Sequence, residues 1–551
     1  MSDWSTSVPD WQERIRSGRS LLPILPLIEE QASKGEKIFN HLRLPDVPDQ
    51  PRLIESAGQW QRDLIRAVFG SYDPVSNVRH IREFFAMVPK KSSKTTAGAA
   101  LMTTALLMNK RPRAEFLLIA PSLEVADLAF RQVVGMIEAD PALNAMFHIQ
   151  EHLKRVTYRD TRAFLKVKSF DPKIVTGSKP SGVLLDELHV MASMPDADRV
   201  LGQLRGGLLP NPEAFLVTIT TQSERPPVGV FRSGLMNARK VRDGELSLPL
   251  LPMLYEFPPE VDWRDAANWW MVTPNNGFSV TVDRLIADYQ AALAAGEDEL
   301  RRWASQHLNV EIGLSLLSDR WRGADHWEHA EEPGLTLSAI LERSEVCTVG
   351  IDGGGLDDLL AVAVVGRERV TRRWLVWAKA WVHESVLQLR KSEASRLRDL
   401  EADGDLVVVD DMEAAFQMVA DVAAEVNAVG LLSRVGLDPM GVGAVVDALA
   451  EREIEGADRV VGISQGWTLN GAIKTAEIKL ANGTMVHCGQ ALMAWAVGNA
   501  KTEPKGNAIT ITKAAAGTGK IDPLMALFDA VMLMSRNPEA VPPVDVFAMV
   551  G

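Results

Sequence analysis

The chain has 551 residues, a formal net charge of −13, 46% hydrophobic and 24% charged residues. At ~150 residues per domain the length exceeds one core, and the composition is that of a globular protein, not a disordered or fibrous one. Two cysteines give neither a disulfide framework nor a zinc site, no apolar run nears the ~20 residues that span a bilayer, and the acidic balance argues mildly against a nonspecific DNA-coating protein.

Along the chain, a short helix is expected over residues 28–42, interrupted by Pro45, Pro48 and Pro51. Trp60, Leu64, Ile65, Val68 and Phe69 recur at helical spacing over 59–69. Strands at 84–88 and 115–120 then alternate with helices at 95–108 and 123–137, and further strands follow at 183–185 and 214–220. Such alternation predicts a parallel sheet with helices on both faces. Residues 224–340 are less regular, with one helix expected over 282–308 and a linker at Glu331-Glu332-Pro333-Gly334. A second α/β unit begins after it, with strands at 346–351, 360–365, 373–376, 406–409 and 434–437 and helices at 412–428 and 442–451. The tail, 538–551, reads as loosely held. The domain expectation is a lead-in at 1–50, a first domain at 51–330, a linker at 331–345 and a second domain at 346–537. No basic start followed by an apolar stretch opens the chain, so the expected compartment is the cytoplasm.

Two sets of carboxylates stand at the ends of apolar runs. In the first half Lys90, Lys91, Ser92, Ser93, Lys94, Thr95 and Thr96 lie between an apolar run and a helix of small residues. A phosphate-binding loop needs inward backbone N–H groups, a lysine for the β/γ-phosphates and a hydroxyl for Mg²⁺, and Lys94 and Thr95 fit the last two. Both usual glycines are absent, with Val88 and Ser93 in their places, so a basic turn capping a helix is the competing reading. Downstream, Val183-Leu184-Leu185 closes on Asp186-Glu187, placing Asp186 to hold Mg²⁺ and Glu187 to polarise an attacking water. Thr220, Thr221 and Gln222 end another strand with groups able to sense a γ-phosphate and relay its loss, a coupling role.

In the second half, apolar runs end at Asp352 and Asp438, and Ile521 precedes Asp522. Three such aspartates brought together suit a two-metal nuclease. Any one of them taken alone better suits a helix N-cap, Asp522 before Pro523 above all. Asp357, Asp358, Asp410 and Asp411 compete for the same roles.

These motifs, in this order along two domains, resemble the large subunit of the terminase of tailed double-stranded DNA phages, from about residue 40 to residue 535. Trp60-Gln61 through Phe69-Gly70 resembles the family's adenine-side motif, with Gln61 as the reader. The basic loop ending in Lys94-Thr95 is similar to the family's variant phosphate loop, although a glycine usually stands at Ser93. Gly350-Ile351-Asp352 with Asp358, Gly436-Leu437-Asp438-Pro439, the segment with His487, Trp495 and Asn499, and Lys520-Ile521-Asp522-Pro523 resemble the terminase nuclease. The resemblance implies an N-terminal P-loop ATPase of the ASCE type and a C-terminal RNase H-like nuclease. ATP would contact Gln61 and residues 90–96, with Mg²⁺ on Asp186. Asp352, Asp438 and Asp522 would be catalytic metal ligands, Asp358 a further candidate, with Mg²⁺ or Mn²⁺ bound. The implied partners are double-stranded DNA, a procapsid portal, a terminase small subunit and copies of the chain in a pentameric ring, with no membrane. The implied location is the host cytoplasm, transiently docked on procapsids and absent from mature virions. An arginine finger is expected, but Arg205, Arg225 and Arg232 are indistinguishable. The rivals are a helicase-like translocase lacking nuclease activity and a non-catalytic assembly subunit.

Overall fold

A computed structural model describes residues 4–171, 177–194, 196–312, 321–438, 443–505, 508–511 and 520–540. The chain divides into two units, residues 1–312 and 313–551.

The first unit is built on an eight-stranded sheet. Its strands are β1 (Glu83–Met87), β2 (Glu115–Ala120), β3 (Phe147–Gln150), β4 (Arg155–Tyr158), β5 (Phe164–Ser169), β6 (Gly182–Asp186), β7 (Phe215–Thr220) and β8 (Leu250–Leu254), in the order β8-β1-β7-β6-β2-β5-β4-β3. From β8 to β5 every pairing is parallel, and β4 and β3 extend the edge antiparallel. Buried parallel strands need apolar residues on both faces, and β6 and β7 are buried at every position. Their carboxyl ends, with that of β1, carry the motifs of the first site.

Helix α1 (Gln59–Gly70) turns its apolar stripe to the core, and helix α2 (Lys94–Met108), made of small and apolar residues, is buried on nearly every side. Gly98 lets α2 press onto β6, since a Cβ there would stand 2.6 Å from Leu184 Cδ2. The helix expected over 282–308 is two helices, Val282–Ala295 and α3 (Glu297–Leu308). The break is Gly296, whose φ of 112° no helix accommodates and which glycine adopts without steric cost.

The second unit holds a seven-stranded mixed sheet. Its strands are β9 (Ser344–Gly353), β10 (Leu359–Glu368), β11 (Trp374–His383), β12 (Leu406–Val409), β13 (Leu432–Leu437), β14 (Val460–Gly462) and β15 (Met485–His487). The order is β12-β11-β10-β9-β13-β14, with β15 beside β11. Strands β9, β10 and β11 pair antiparallel, while β13 lies parallel to β9. Within the segment 331–345 a helix, Leu337–Arg343, buries Ile340. The apolar helix α4 (Asp522–Met534) lies against β9 and β13. The contact is made through glycine: a Cβ on Gly350 would fall 1.9 Å from Ala526 O, and one on Gly436 would fall 3.4 Å from Asp529 O. Thr348 Oγ1 donates to Ala530 O at 2.9 Å across the same contact. Val442, the first residue of an expected helix, and residues 541–551 of the tail fall outside the described residues.

Candidate functional sites at two sets of strand ends

In the first unit, residues 88–93 leave β1 and turn into α2. The turn uses left-handed backbone at Lys91 (φ 68°) and Ser93 (φ 56°). That conformation belongs mainly to glycine, and it explains why glycine is the residue expected at 93. Here serine is held in it from outside: Asn275 Nδ2 donates to Ser93 Oγ at 3.3 Å, and Ser279 Oγ donates to Lys91 O. Asn275 Oδ1 also accepts Gly58 N–H at 3.0 Å, so the start of α1, which carries the buried Gln61, is tied to the loop. Gln59, Trp60 and Asp63 of that helix line a cavity of about 240 Å³ with Arg14, Tyr255 and Trp270, and Gln61 is not among its walls.

Lys94 opens α2 and is buried, its Nζ 3.4 Å from Glu187 Oε1. Thr95 Oγ1 donates to Asp186 Oδ2 at 3.4 Å. The phosphate-loop and strand-end residues therefore meet in pairs. Burial pushes the Asp186 carboxyl up to about 7, helped by the Glu187 charge beside it, and burial lowers the Lys94 ammonium. A cation reaching Asp186 would offset that cost. Glu187 itself sits in left-handed backbone (φ 61°) with its N–H on Ile219 O at 2.9 Å, so β7 holds the strained turn in place. Lys90 is anchored by Gln306 of α3, through its backbone N–H at 2.7 Å and its Nζ. Ser92 is buried, Lys91 exposed, and Thr96 half-buried on the first turn of α2.

Thr220, Thr221 and Gln222 are fully buried at the end of β7. Three residues that sequence reasoning did not single out contact this group. His189 Nδ1 lies 3.0 Å from Thr220 Oγ1 and 3.3 Å from Glu187 Oε2, and burial lowers its pKa to about 4, leaving it neutral. Asn309, the C-cap of α3, accepts Gln222 N–H at 3.1 Å and donates to Met87 O and Tyr255 O. Glu311 accepts from Gln222 Nε2 at 3.5 Å and from Arg239 at 2.7 Å.

In the second unit the register pairs Ile351 with Leu437, so Asp352 and Asp438 follow at adjacent parallel strand ends. Asp522 is the first residue of α4, not its cap, and is fully buried. Its Oδ1 lies 3.4 Å from where a Cβ on Gly353 would stand, directly after Asp352. All three predicted ligands thus gather at one edge. Asp358 instead takes the buried Lys520 Nζ at 2.5 Å, and Asp411 caps the helix Met412–Ala428 through Glu413 N–H. His487 bonds Trp327 O at 2.7 Å and stacks on that ring. Asn499 Nδ2 donates to Lys520 O at 2.9 Å, steadying the approach to α4.

A fourth carboxylate, Asp529, escaped the sequence reading. It is fully buried, and neither carboxyl oxygen has a hydrogen-bond partner among the described residues. Burial, then the charges of Asp352 and Asp438, push its pKa well up. The signal was present: Asp522 and Asp529 are the only polar residues of α4, and a seven-residue spacing puts both on one face. Among the described residues no group of three His, Cys, Asp or Glu side chains is placed closely enough to hold a metal ion as it stands. The donor set is nonetheless carboxylate oxygen throughout, the kind a hard divalent cation takes, and a buried carboxyl with no donor is what such a cation would compensate.

Comparison with known proteins also gives two domains, although the second match begins at residue 252, within the first unit. Residues 59–227 match the family model "terminase large subunit, ATPase domain", and residues 252–537 match "terminase large subunit, endonuclease domain". The second match favours a chain with a nuclease over a helicase-like translocase without one. Protein YmfN of Escherichia coli (strain K12) is 24% identical over 372 residues, covering 64% of this chain and 77% of its own. Among solved structures, the HK97 bacteriophage large terminase is 19% identical, covers 91% of this chain and 99% of its own, and has a TM-score of 0.46. A large terminase from a thermophilic bacteriophage, solved in complex with ADP, is 11% identical, with 86% and 98% covered and a TM-score of 0.34.

Proposed function

This chain belongs to the terminase large-subunit family, with an ATPase domain and an endonuclease domain, and we propose that it drives viral double-stranded DNA into procapsids and cuts the concatemer. The observation that carries the motor half is the meeting of Lys94 with Glu187 and of Thr95 with Asp186. ATP would lie along residues 90–96 with Gln61 on the adenine side, its phosphates drawing Lys94 away from Glu187. Thr95 and Asp186 would hold Mg²⁺, which supplies charge neutralisation on the phosphates. Glu187 then orients the attacking water, and Thr220, Thr221 and Gln222 sense the γ-phosphate.

The nuclease half rests on Asp352, Asp438 and Asp522 at one sheet edge, with Asp529 behind them. Together they would hold Mg²⁺ or Mn²⁺, whose chemistry is to lower the pKa of a bound water and to stabilise a leaving oxygen. The protein's own part is to fix the carboxylates on rigid strand ends. We assign the ATPase to 51–330 and the nuclease to 346–537. The portal, the small subunit and a pentameric ring are the expected partners, and the site of action is the host cytoplasm at the procapsid. No helix among the described residues is long and apolar enough to cross a membrane.

The test is cleavage of supercoiled plasmid with Mg²⁺ or Mn²⁺ by wild type and by Asp438→Ala. Cleavage lost in the variant supports the assignment. Equal cleavage by both removes Asp438 from the site, and no cleavage by wild type with either ion removes the nuclease reading.

A further inference from the structure

His189 stands two residues beyond Glu187 on the short helix Leu188–Met191, its side chain only 8% exposed. Its surroundings are unusual for a core histidine, because the ring touches the carboxylate and both strand-end hydroxyls at once. Nδ1 lies 3.3 Å from Glu187 Oε2 and 3.0 Å from Thr220 Oγ1. Thr221 Oγ1 lies 3.4 Å from Nδ1 and 3.5 Å from Nε2. The backbone adds a further tie, His189 N–H donating to Thr220 Oγ1 at 3.3 Å while that hydroxyl donates to Thr221 O at 3.1 Å. Phe231 closes the far side of the ring edge-on, with centroids 6.2 Å apart.

The other oxygen of Glu187, Oε1, faces Lys94 Nζ at 3.4 Å. The carboxylate thus has a neighbour at each end, and the two neighbours differ in kind. Lys94 is a long flexible cation that bound phosphates would attract. His189 is buried, neutral and pinned by its own backbone to β7, so it stays when Lys94 leaves. A proton on Nδ1 is donated to Thr220 Oγ1 and leaves Nε2 to accept from Thr221, while Glu187 Oε2, which has no hydrogen-bond partner among the described residues, lies beside the same Nδ1 at 3.3 Å. In that tautomer one ring spans the path from the carboxylate to the coupling hydroxyls.

We propose that His189 is a positioning residue that fixes the Glu187 carboxylate for hydrolysis and carries its displacement to Thr220 and Thr221. This rests on the reading of Glu187 as the residue that orients water. Removing a partner that only fills space would lower stability and leave the chemical step alone. Removing one that orients the carboxylate lowers kcat with KM little changed.

The experiment is steady-state ATP hydrolysis by the full chain with DNA present, alongside binding of a fluorescent ATP analogue. Glu187→Gln, His189→Ala, His189→Asn, Thr221→Val and the His189→Ala/Thr221→Val pair are compared. His189→Ala is expected to lose about 10- to 100-fold in kcat, the range typical when an outer partner orienting a catalytic group is removed. ATP binding should stay within about 2-fold, as expected for an interaction outside the ground-state complex. His189→Asn, whose amide nitrogen falls near the Nδ1 position, should recover most of the rate. The paired variant should lose no more than His189→Ala alone, because the two residues act as one unit. His189→Ala at the wild-type rate, His189→Asn no better than alanine, or losses that multiply in the pair would each overturn the proposal. Should the alanine variant fail to fold, His189→Asn must outperform His189→Gln, whose amide sits nearer the Nε2 position; equality or the reverse overturns it. An active Glu187→Gln would defeat the parent reading, and the role of His189 would fall with it. An inactive Glu187→Gln beside an unimpaired His189→Ala would defeat the His189 proposal alone.

Discussion

Substituting Gly350 by alanine should damage the second unit and its carboxylate edge together. A Cβ at this position would stand 1.9 Å from Ala526 O and 2.6 Å from Ala530 N, where ordinary contact begins at 3.4 Å. The shortfall against the carbonyl is 3.4 − 1.9 = 1.5 Å. Both obstructing atoms are helix backbone, so no side chain can rotate aside and α4 or β9 must move. Overpacking a core costs ~1–3 kcal/mol, and rigid neighbours place this case at about 3 kcal/mol. For a unit of this size that corresponds to a loss of about 6–12 °C in its calorimetric midpoint. The displaced element carries either Asp352 or Asp522, and a misplacement of ~1 Å can cost about 100-fold in rate. Metal-dependent plasmid cleavage should therefore collapse while ATP binding in the first unit persists. Gly471→Ala, in the helix Asn470–Ala481 with nothing within 4 Å of the added carbon, is the control. It should be neutral, or stabilising by up to ~1 kcal/mol through helix propensity. Wild-type midpoint and cleavage in Gly350→Ala would refute the packing argument.

Three further outcomes are expected. Ser93→Gly should relieve left-handed strain and tighten or preserve ATP binding, while Ser93→Ala keeps the strain, loses the Asn275 contact and should weaken it; binding titrations decide. Burial lowers His189 to about 4 in the folded state, below its usual 6.5, so the unfolded chain binds the extra proton and stability falls as pH drops from 6.5 toward 4. Between pH 6.5 and 5 this amounts to at most about 2 kcal/mol for His189, and a flatter midpoint-versus-pH curve in His189→Asn checks it. Asp529→Asn removes a buried carboxyl facing Asp352 and Asp438, so the rise in thermal midpoint on adding Mn²⁺ should shrink; an undiminished rise would separate Asp529 from the ion.

The parts of the molecule legible in the sequence were those whose signal is local. The strand at 115–120 and the helix from 123 are set by apolar runs and a serine cap, Ser122 accepting Val125 N–H, and they lie where periodicity puts them. Strands β3 and β4 are short, four residues each, and form the antiparallel edge, and like β5 they have mixed burial, so none of the three carries the continuous apolar run that marks a strand in the sequence. Glycine misled in one place and informed in another. Gly296 ends a helix that periodicity alone carries through it, whereas the absence of glycine at 93 raised doubt about a turn that Asn275, 182 residues away, in fact holds in shape.

The same distinction separates the two sites. Strand-end acids can be read from one chain because each is announced by the run before it, as at Asp186, Asp352 and Asp438. The side chains around them are harder to read, because His189 and Asn309 make contacts that appear only when strands and helices are laid side by side. Asn309 shows this most plainly: its side chain reaches Gln222, Met87 and Tyr255, three segments remote in sequence, from the left-handed cap of α3. Gln306, one turn earlier, holds Lys90. One helix end thereby contacts both the phosphate loop and the end of β7. In the sequence that double contact is announced by no more than Gln306 and Asn309 at the end of a helix.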